Sequence, residues 1–318
     1  MRQEKTIMRA PELRSGPVRR WRIHIGAHKT ATTHLQETLT ALRPALAAQG
    51  VDYIPNSLVR GRKLAPNLWR RRPITRLPII GPARMREALE GVLEPLRLGP
   101  STVAVSEENI LGVPHELLTT PFYGRAALNV ARLASLGQRA ELEFFLSIRS
   151  YDMLLPSAYA ESLKHAPPGI GGFEAFRARL LAAPPSWFDL VSRIRAAAPE
   201  VPLRIWRQED YRANAHAIMQ AFCGCEIGVL PEISDPTWTR SPSAAEIAAA
   251  EALPRTLTRA ERDARVRAVF ASPSGERYQP FTPEERRHLR AAYDADLERI
   301  AASFPDLLMR FAPRELAA

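Results

Sequence analysis

WRIHIGAHKTATTHLQETL, residues Trp21 to Leu39, is the stretch on which the reading of this chain turns. Arg22-Ile23-His24-Ile25 alternates polar and apolar residues, which predicts a strand stopping at Gly26, and an amphipathic helix follows from about Thr33. Between them lies Ala27-His28-Lys29-Thr30-Ala31-Thr32-Thr33. A loop leading from a buried strand into a helix points several backbone N–H groups and the positive end of the helix dipole at one spot, which suits a phosphate. Lys29 adds a full charge there, and the hydroxyls of Thr30, Thr32 and Thr33 add neutral donors. The competing reading is an ordinary strand-to-helix turn with a threonine N-cap.

Composition favours the first reading. The chain carries 44 Lys plus Arg, but its lysines are only Lys5, Lys29, Lys63 and Lys164, so positive charge is written almost wholly as arginine. A compact ammonium differs physically from a forked guanidinium, and a lysine inside this loop looks chosen for that difference. The loop is not a Walker A sequence, because Gly26 precedes Lys29 by three residues and Ala31 stands where a second glycine would be sought.

HIGAHKTATTHLQ resembles the phosphosulfate-binding loop of the sulfotransferases, in which a strand, (P/H)-K-T-(G/A)-T-T and a helix follow one another. The resemblance is closest to the bacterial branch, where HKTGTT followed by LQ is common. It implies a P-loop-like α/β fold and a sulfuryl donor, 3′-phosphoadenosine 5′-phosphosulfate (PAPS). It also implies that His28, Lys29, Thr30, Ala31, Thr32 and Thr33 hold the 5′-phosphosulfate, with Lys29 on the oxygen bridging phosphorus and sulfur. The departure is Ala31 in place of glycine, which is tolerable if that position needs no positive φ.

At 318 residues, with 46% hydrophobic and 25% charged residues, the chain reads as an ordinary globular protein able to bury a sizeable core. It has no run of about 18 apolar residues, so no membrane span is expected. Residues 1–20 are charged without an apolar segment and read as a basic, partly disordered arm rather than a secretory signal. A single domain is expected over 21–318, becoming helical from about 231. Cys223 and Cys225 cannot make a tetrahedral metal site alone and read as small residues ending a helix; no metal is expected, and such sparse cysteine fits a reducing cytoplasm. The net charge of +10 asks for an anionic partner, but zinc-finger spacing and aromatic-interleaved basic ribbons are missing, which argues against nucleic acid. A doubly anionic nucleotide and an acidic acceptor account for the sign.

Along the chain, strands are predicted at Val51-Asp52-Tyr53-Ile54, Ser101 to Val105, Leu142 to Ile148 and Leu203 to Trp206, with helices between them. This gives an α/β fold with a mainly parallel sheet of about five strands flanked by helices, as in nucleotide kinases. Residues 56–82 are rich in arginine and proline without a clean period and read as an irregular basic insertion. The third strand runs into Ser106-Glu107-Glu108-Asn109, and since strand C-termini gather at one rim, this acidic turn should face the same crevice as Lys29. A carboxylate there can take the proton of an attacking hydroxyl or amine. The bacterial sulfotransferases often read S-S-E-N here, which implies Glu108 as catalytic base and puts Glu107 at a serine position.

Arg149 at the end of the fourth strand and Ser157 eight residues later can converge on one phosphate, the guanidinium by a bidentate grip and the hydroxyl as a third donor. This resembles the second sulfotransferase signature, R-x-P/x-x-x-R/x-x-x-S-x-Y, matched by Arg149, Ser157 and Tyr159, and implies binding of the 3′-phosphate. Glu209 and Asp210 stand where the family often has Tyr/Phe-Glu-Asp and read as capping and packing residues. Trp238 to Ser243 stand at the family's N-x-S position, and Arg265 to Arg277 where its basic loop closes over the nucleotide. The expected activity is PAPS-dependent transfer to a hydroxyl or amine of an unidentified acceptor. The alternatives are a P-loop-type ATP-dependent small-molecule kinase, which needs a strand-end aspartate for Mg²⁺, and a non-catalytic nucleotide- or glycan-binding protein of the same fold.

Overall fold

The computed structural model describes residues 16–69, 81–165, 172–233, 241–254, 256–271 and 275–311. Five strands alternate with helices: β1 (Arg20–His24), α1 (Thr32–Ala48), β2 (Val51–Ile54), the short α2 (Asn56–Gly61) and α3 (Leu64–Trp69), α4 (Pro82–Leu93) and β3 (Thr102–Ser106). Then come α5 (Ala126–Leu133), β4 (Glu141–Ile148), α6 (Tyr151–His165), α7 (Glu174–Ala182), α8 (Trp187–Ala197), β5 (Leu203–Arg207) and α9 (Gln208–Cys223). The C-terminal part is helical: α10 (Ala244–Glu251), α11 (Arg259–Phe270) and α12 (Pro283–Ser303), the last packed on α6, α7 and α8.

The sheet has the order β2-β3-β1-β4-β5 and every pairing is parallel, with Ile23 beside Val105 on one side and Phe144 on the other. Side chains alternate across the pleat. Ile23, Val103, Val105, Phe144 and Ile205 join the core beneath α4, α5 and α8, while Tyr53, Ala104, Phe145 and Trp206 meet Leu35 and Leu39 of α1 and Phe222 of α9. Both faces are therefore covered, as parallel sheets require.

That covering changes the meaning of the alternation in β1. Arg22 and His24 mark no solvent face; both are buried. Arg22 pairs with Glu143 at 2.9 Å and donates to the carbonyls of Ala221 and Phe222 at the end of α9, while His24 stacks on Trp206 with ring centroids 4.7 Å apart. Arg22 also fills the space at Gly224, whose φ of 71° closes α9 between Cys223 and Cys225, both free thiols.

The insertion expected to be irregular is helical over 56–61 and 64–69, and the stretch expected as a basic loop is helical up to Phe270. Short helices with one buried turn show no period long enough to read from sequence. The expected disorder of the N-terminal arm, the middle of the basic insertion and Trp238 to Arg240 lie outside the described residues. No described helix is long and apolar enough to cross a membrane.

Candidate active site

The sheet order reverses around β1, and the crevice at such a switch point opens beyond the strand C-termini. Each strand there hands over one part of the site. From β1, the chain stays tied to β4 through Ile25 N to Phe145 O (2.9 Å), Ser147 N to Gly26 O (2.7 Å) and Ala27 N to Ser147 O (3.0 Å), then turns away. Gly26 has a φ of 119°, and a Cβ on it would come within 3.1 Å of the Glu108 backbone, so only glycine lets the β1 and β3 exits lie this close.

Lys29 and Ala31 adopt left-handed backbone angles, φ of 64° and 67°. The condition under which alanine would be free of strain at position 31, that no positive φ is needed there, is not met: the loop needs it, and Ala31 bears the cost. Ala31 is also the residue preceding α1, and no side chain caps the helix, nor does its first turn hold an acidic residue. The threonine-capped turn is thus set aside. The leading N–H groups of α1 are left for solvent or an anion.

The threonines divide. Thr32 and Thr33 line the cleft, but the Thr30 hydroxyl is turned inward, donating to Ala27 O at 2.6 Å and meeting Ser147 Oγ at 2.5 Å, so it is not the donor expected from sequence. His28 is buried against the cleft wall. Its backbone N–H donates to the Tyr123 hydroxyl (3.1 Å), which in turn donates to Nδ1 (2.8 Å), leaving the Nε2 proton for Asn109 Oδ1 at 3.3 Å. Burial pushes the His28 imidazole below its ordinary range, which favours this neutral form.

Lys29 reaches across the cleft mouth to Glu161 Oε2 at 3.1 Å, and Lys164 meets the same oxygen at 2.9 Å. Against the upward push of burial, the two ammonium groups hold the Glu161 carboxyl down at about 2. Glu161 was missed from sequence, although it sits one helical turn beyond Ser157 on the same face of α6.

From β3 come two carboxylates with different surroundings. Glu107, whose side chain is 1% exposed, accepts from Arg60 at 3.0 and 3.2 Å and from the backbone and side-chain N–H groups of Asn109 at 3.0 and 2.5 Å. Burial, and then the neighbouring charge of Glu108, push its carboxyl up. Glu108 lines the cleft, where Oε1 accepts from Arg60 (2.7 Å) and Oε2 from Gln36 (2.9 Å), itself oriented by Asn56 at 2.6 Å. Burial pushes Glu108 up too, but the electrostatic pull of the neighbouring His28 and Arg60 side chains, with the hydrogen bond from Gln36, outweighs it and holds the carboxyl below the ordinary range. Arg60 and Gln36 were missed. Arg60 lay in the insertion without a period, and Gln36 differs in no sequence signal from any polar helix residue.

From β4 comes Arg149, whose Nη1 donates to Lys29 O at 2.7 Å and whose Nε has no acceptor among the described residues. Burial and then the charge of Arg277 push Arg149 down to about 10. Arg149 and Arg277 both line the cleft, and crowded cationic side chains there favour an anion. Ser157 lines the same cleft. From β5, Glu209 takes the Ser150 N–H at 2.8 Å and the Tyr293 hydroxyl at 3.1 Å, and Asp210 pairs with Arg207 at 2.7 Å, the packing roles expected of them.

The cleft so bounded measures about 1070 Å³, and Arg212, Arg267 and Arg277 also line it. A side pocket of about 210 Å³ opens from it behind Lys29, lined by Ala160, Pro242 and Phe270. No group of three or more His, Cys, Asp or Glu among the described residues could hold a metal. No family model and no curated protein sequence matches the chain. Among solved structures, it is similar to one described as a sulfotransferase from Alicyclobacillus acidocaldarius, with 13% identity, a TM-score of 0.43, and coverage of 91% of this chain and 96% of that one.

Proposed function

We propose that this protein is a sulfotransferase that moves a sulfuryl group from PAPS to a hydroxyl or amine of an acceptor held in the same cleft. The observation that supports the reading is that two groups of potential donors line one cleft: the uncapped start of α1 with Lys29, and Arg149 with Arg277. A donor with a 5′-phosphosulfate and a 3′-phosphate suits both at once. Thr32, Thr33 and the leading N–H groups of α1 would steady the sulfuryl oxygens, Arg149 and Ser157 would hold the 3′-phosphate, and Lys29 would leave Glu161 to offset charge on the bridging oxygen. Glu108 would take the acceptor proton as the acceptor atom bonds to sulfur and the sulfur–oxygen bond to the 5′-phosphate breaks.

The test is thermal. The product 3′-phosphoadenosine 5′-phosphate should raise the melting temperature in the absence of Mg²⁺, since the places that suit it are cationic side chains and backbone N–H groups; at a hundred times Kd the gain is about 2.7 kcal/mol. If ATP with Mg²⁺ stabilises the protein and the bisphosphate does not, a kinase reading replaces this one.

A further inference from the structure

Arg60 shares one guanidinium between two carboxylates, Nε and Nη2 on Glu107 and Nη2 again on Glu108. The two depend on it unequally. Glu107 keeps both donors of Asn109 whatever Arg60 does, and Glu108 keeps Gln36. The Arg60 side chain is 47% exposed and lines the cleft, and Nη1 has no acceptor among the described residues. A guanidinium anchored on Glu107, with Nη1 uncommitted, is placed to take a carboxylate, sulfate or phosphate in a two-pronged grip through Nη1 and Nη2 once Nη2 lets go of Glu108.

The same contact handicaps the reaction. A carboxylate paired with arginine is stabilised in its charged form and resists taking a proton, so Glu108 as it stands is a weakened base. Resting on the sulfuryl-transfer reading, we infer that Arg60 recognises an anionic group carried by the acceptor next to the atom that is modified, and that this engagement frees Glu108 Oε1 to receive the acceptor proton. The acceptor oxygen or nitrogen then bonds to sulfur, the sulfur–oxygen bond to the 5′-phosphate breaks with its electron pair leaving on the bisphosphate, and the proton ends on Glu108. Around Glu108 stand Arg60 from α2, Gln36 from α1, Tyr53 from β2, His28 from the loop and Glu107. Among these Arg60 is the partner that lies half in solvent, which lets it change its company without unpacking the core. Arg212 and Arg267, which also line the cleft, favour the added negative charge.

Matched acceptors decide the matter: methyl glucuronide against methyl glucoside, and 4-hydroxyphenylacetate against 4-methylphenol, each measured for binding to the bisphosphate-loaded protein and for turnover with PAPS. The anionic member should be favoured by about ten- to a hundredfold in the wild type. Arg60→Met should erase that preference while leaving bisphosphate affinity unchanged, and Arg60→Lys should keep part of it. The double variant Arg60→Met, Glu107→Gln guards against misfolding, because it does not leave a buried carboxylate without its cation. No preference in the wild type, no binding of either anionic member, or a preference that survives Arg60→Met overturns the inference. So does a loss of PAPS affinity relative to the bisphosphate in Arg60→Met, which would put Arg60 on the donor. Failure of the bisphosphate itself to bind is a different result, and it removes the sulfuryl-transfer reading along with this one.

Discussion

At the scale of single residues, the acidic turn after β3 separates two adjacent glutamates by direction. On a chain leaving a strand, neighbouring side chains point apart. Glu107 goes down to cap the turn through Asn109, and Glu108 goes out to the cleft. Their amide variants should therefore fail in different ways. Glu108→Gln keeps the shape and the Gln36 contact but cannot take up a proton, so PAPS turnover should fall by about 10² to 10⁴ with bisphosphate affinity nearly intact. Glu107→Gln should cost about 1 to 3 kcal/mol of stability, seen in the melting temperature, because it replaces a buried acceptor of four hydrogen bonds. Near-normal turnover in Glu108→Gln would move the base elsewhere, to His28, His34 or Glu107, and loss of nucleotide binding would make Glu108 a structural residue.

At the scale of elements, the strand–loop–helix unit of β1 and α1 depends on backbone angles more than on side chains. Ala31 stands at a φ of 67° at the junction, an angle that L-residues other than glycine, asparagine and aspartate avoid. Ala31→Gly removes that conflict. Set against the extra freedom it gives the unfolded chain, the net should be a stabilisation of roughly 0.5 to 1 kcal/mol by chemical denaturation, with bisphosphate affinity kept or improved. An equal loss would mean that the surrounding packing has adapted to the methyl group. This element also shows why part of the molecule was legible in the sequence. The five strands and their helices announce themselves because period and punctuation are local, and Lys29, Glu108 and Arg149 could be named as candidates because each follows a strand end. The direction of the Thr30 hydroxyl, the clamp of Arg60 and the hold of Glu161 on Lys29 were not found. They depend on which distant surfaces meet: Ser147 lies 117 residues from Thr30, Glu107 47 from Arg60, and Glu161 132 from Lys29. Backbone angles at positions 29 and 31 were hidden for another reason, since neither lysine nor alanine advertises a left-handed turn.

At the scale of the whole molecule, the centre of the sheet holds a titratable group that ties its stability to pH. His24 ends β1, fully buried, with Nδ1 2.8 Å from Ser106 Oγ and Nε2 3.0 Å from Ser147 Oγ, under the ring of Trp206. With the Thr30 proton on Ala27 O, Ser147 Oγ spends its own proton on Thr30 Oγ1 (2.5 Å) and Gly26 O (3.0 Å), so the ring offers it the Nε2 proton, and Nδ1 accepts from Ser106. A second proton on Nδ1 removes that bond and puts a charge where water cannot reach. Burial accordingly pushes His24 from 6.5 down to about 4, even though the charge of Glu108 pulls the other way. Because the unfolded chain binds this proton at higher pH than the folded one, stability falls as pH drops from about 6.5, and the loss is complete near pH 4. A shift of that size is worth about 3 kcal/mol, with a slope of at most about 1.4 kcal/mol per pH unit. His28, also pushed down by burial, acts in the same direction, so the wild-type curve alone does not assign the effect. Urea denaturation of wild type and His24→Gln at several pH values between 7 and 4 separates them: the variant starts from lower stability at pH 7 but should lose less on acidification, and its curve should be flatter by the contribution of one proton. Parallel curves would place the acid sensitivity outside β1. The same hydroxyl that receives the His24 proton also holds Gly26 and Thr30, so in the wild type the loop between β1 and α1 should loosen over this pH range, and, on the proposed function, bisphosphate affinity should fall with the stability rather than ahead of it.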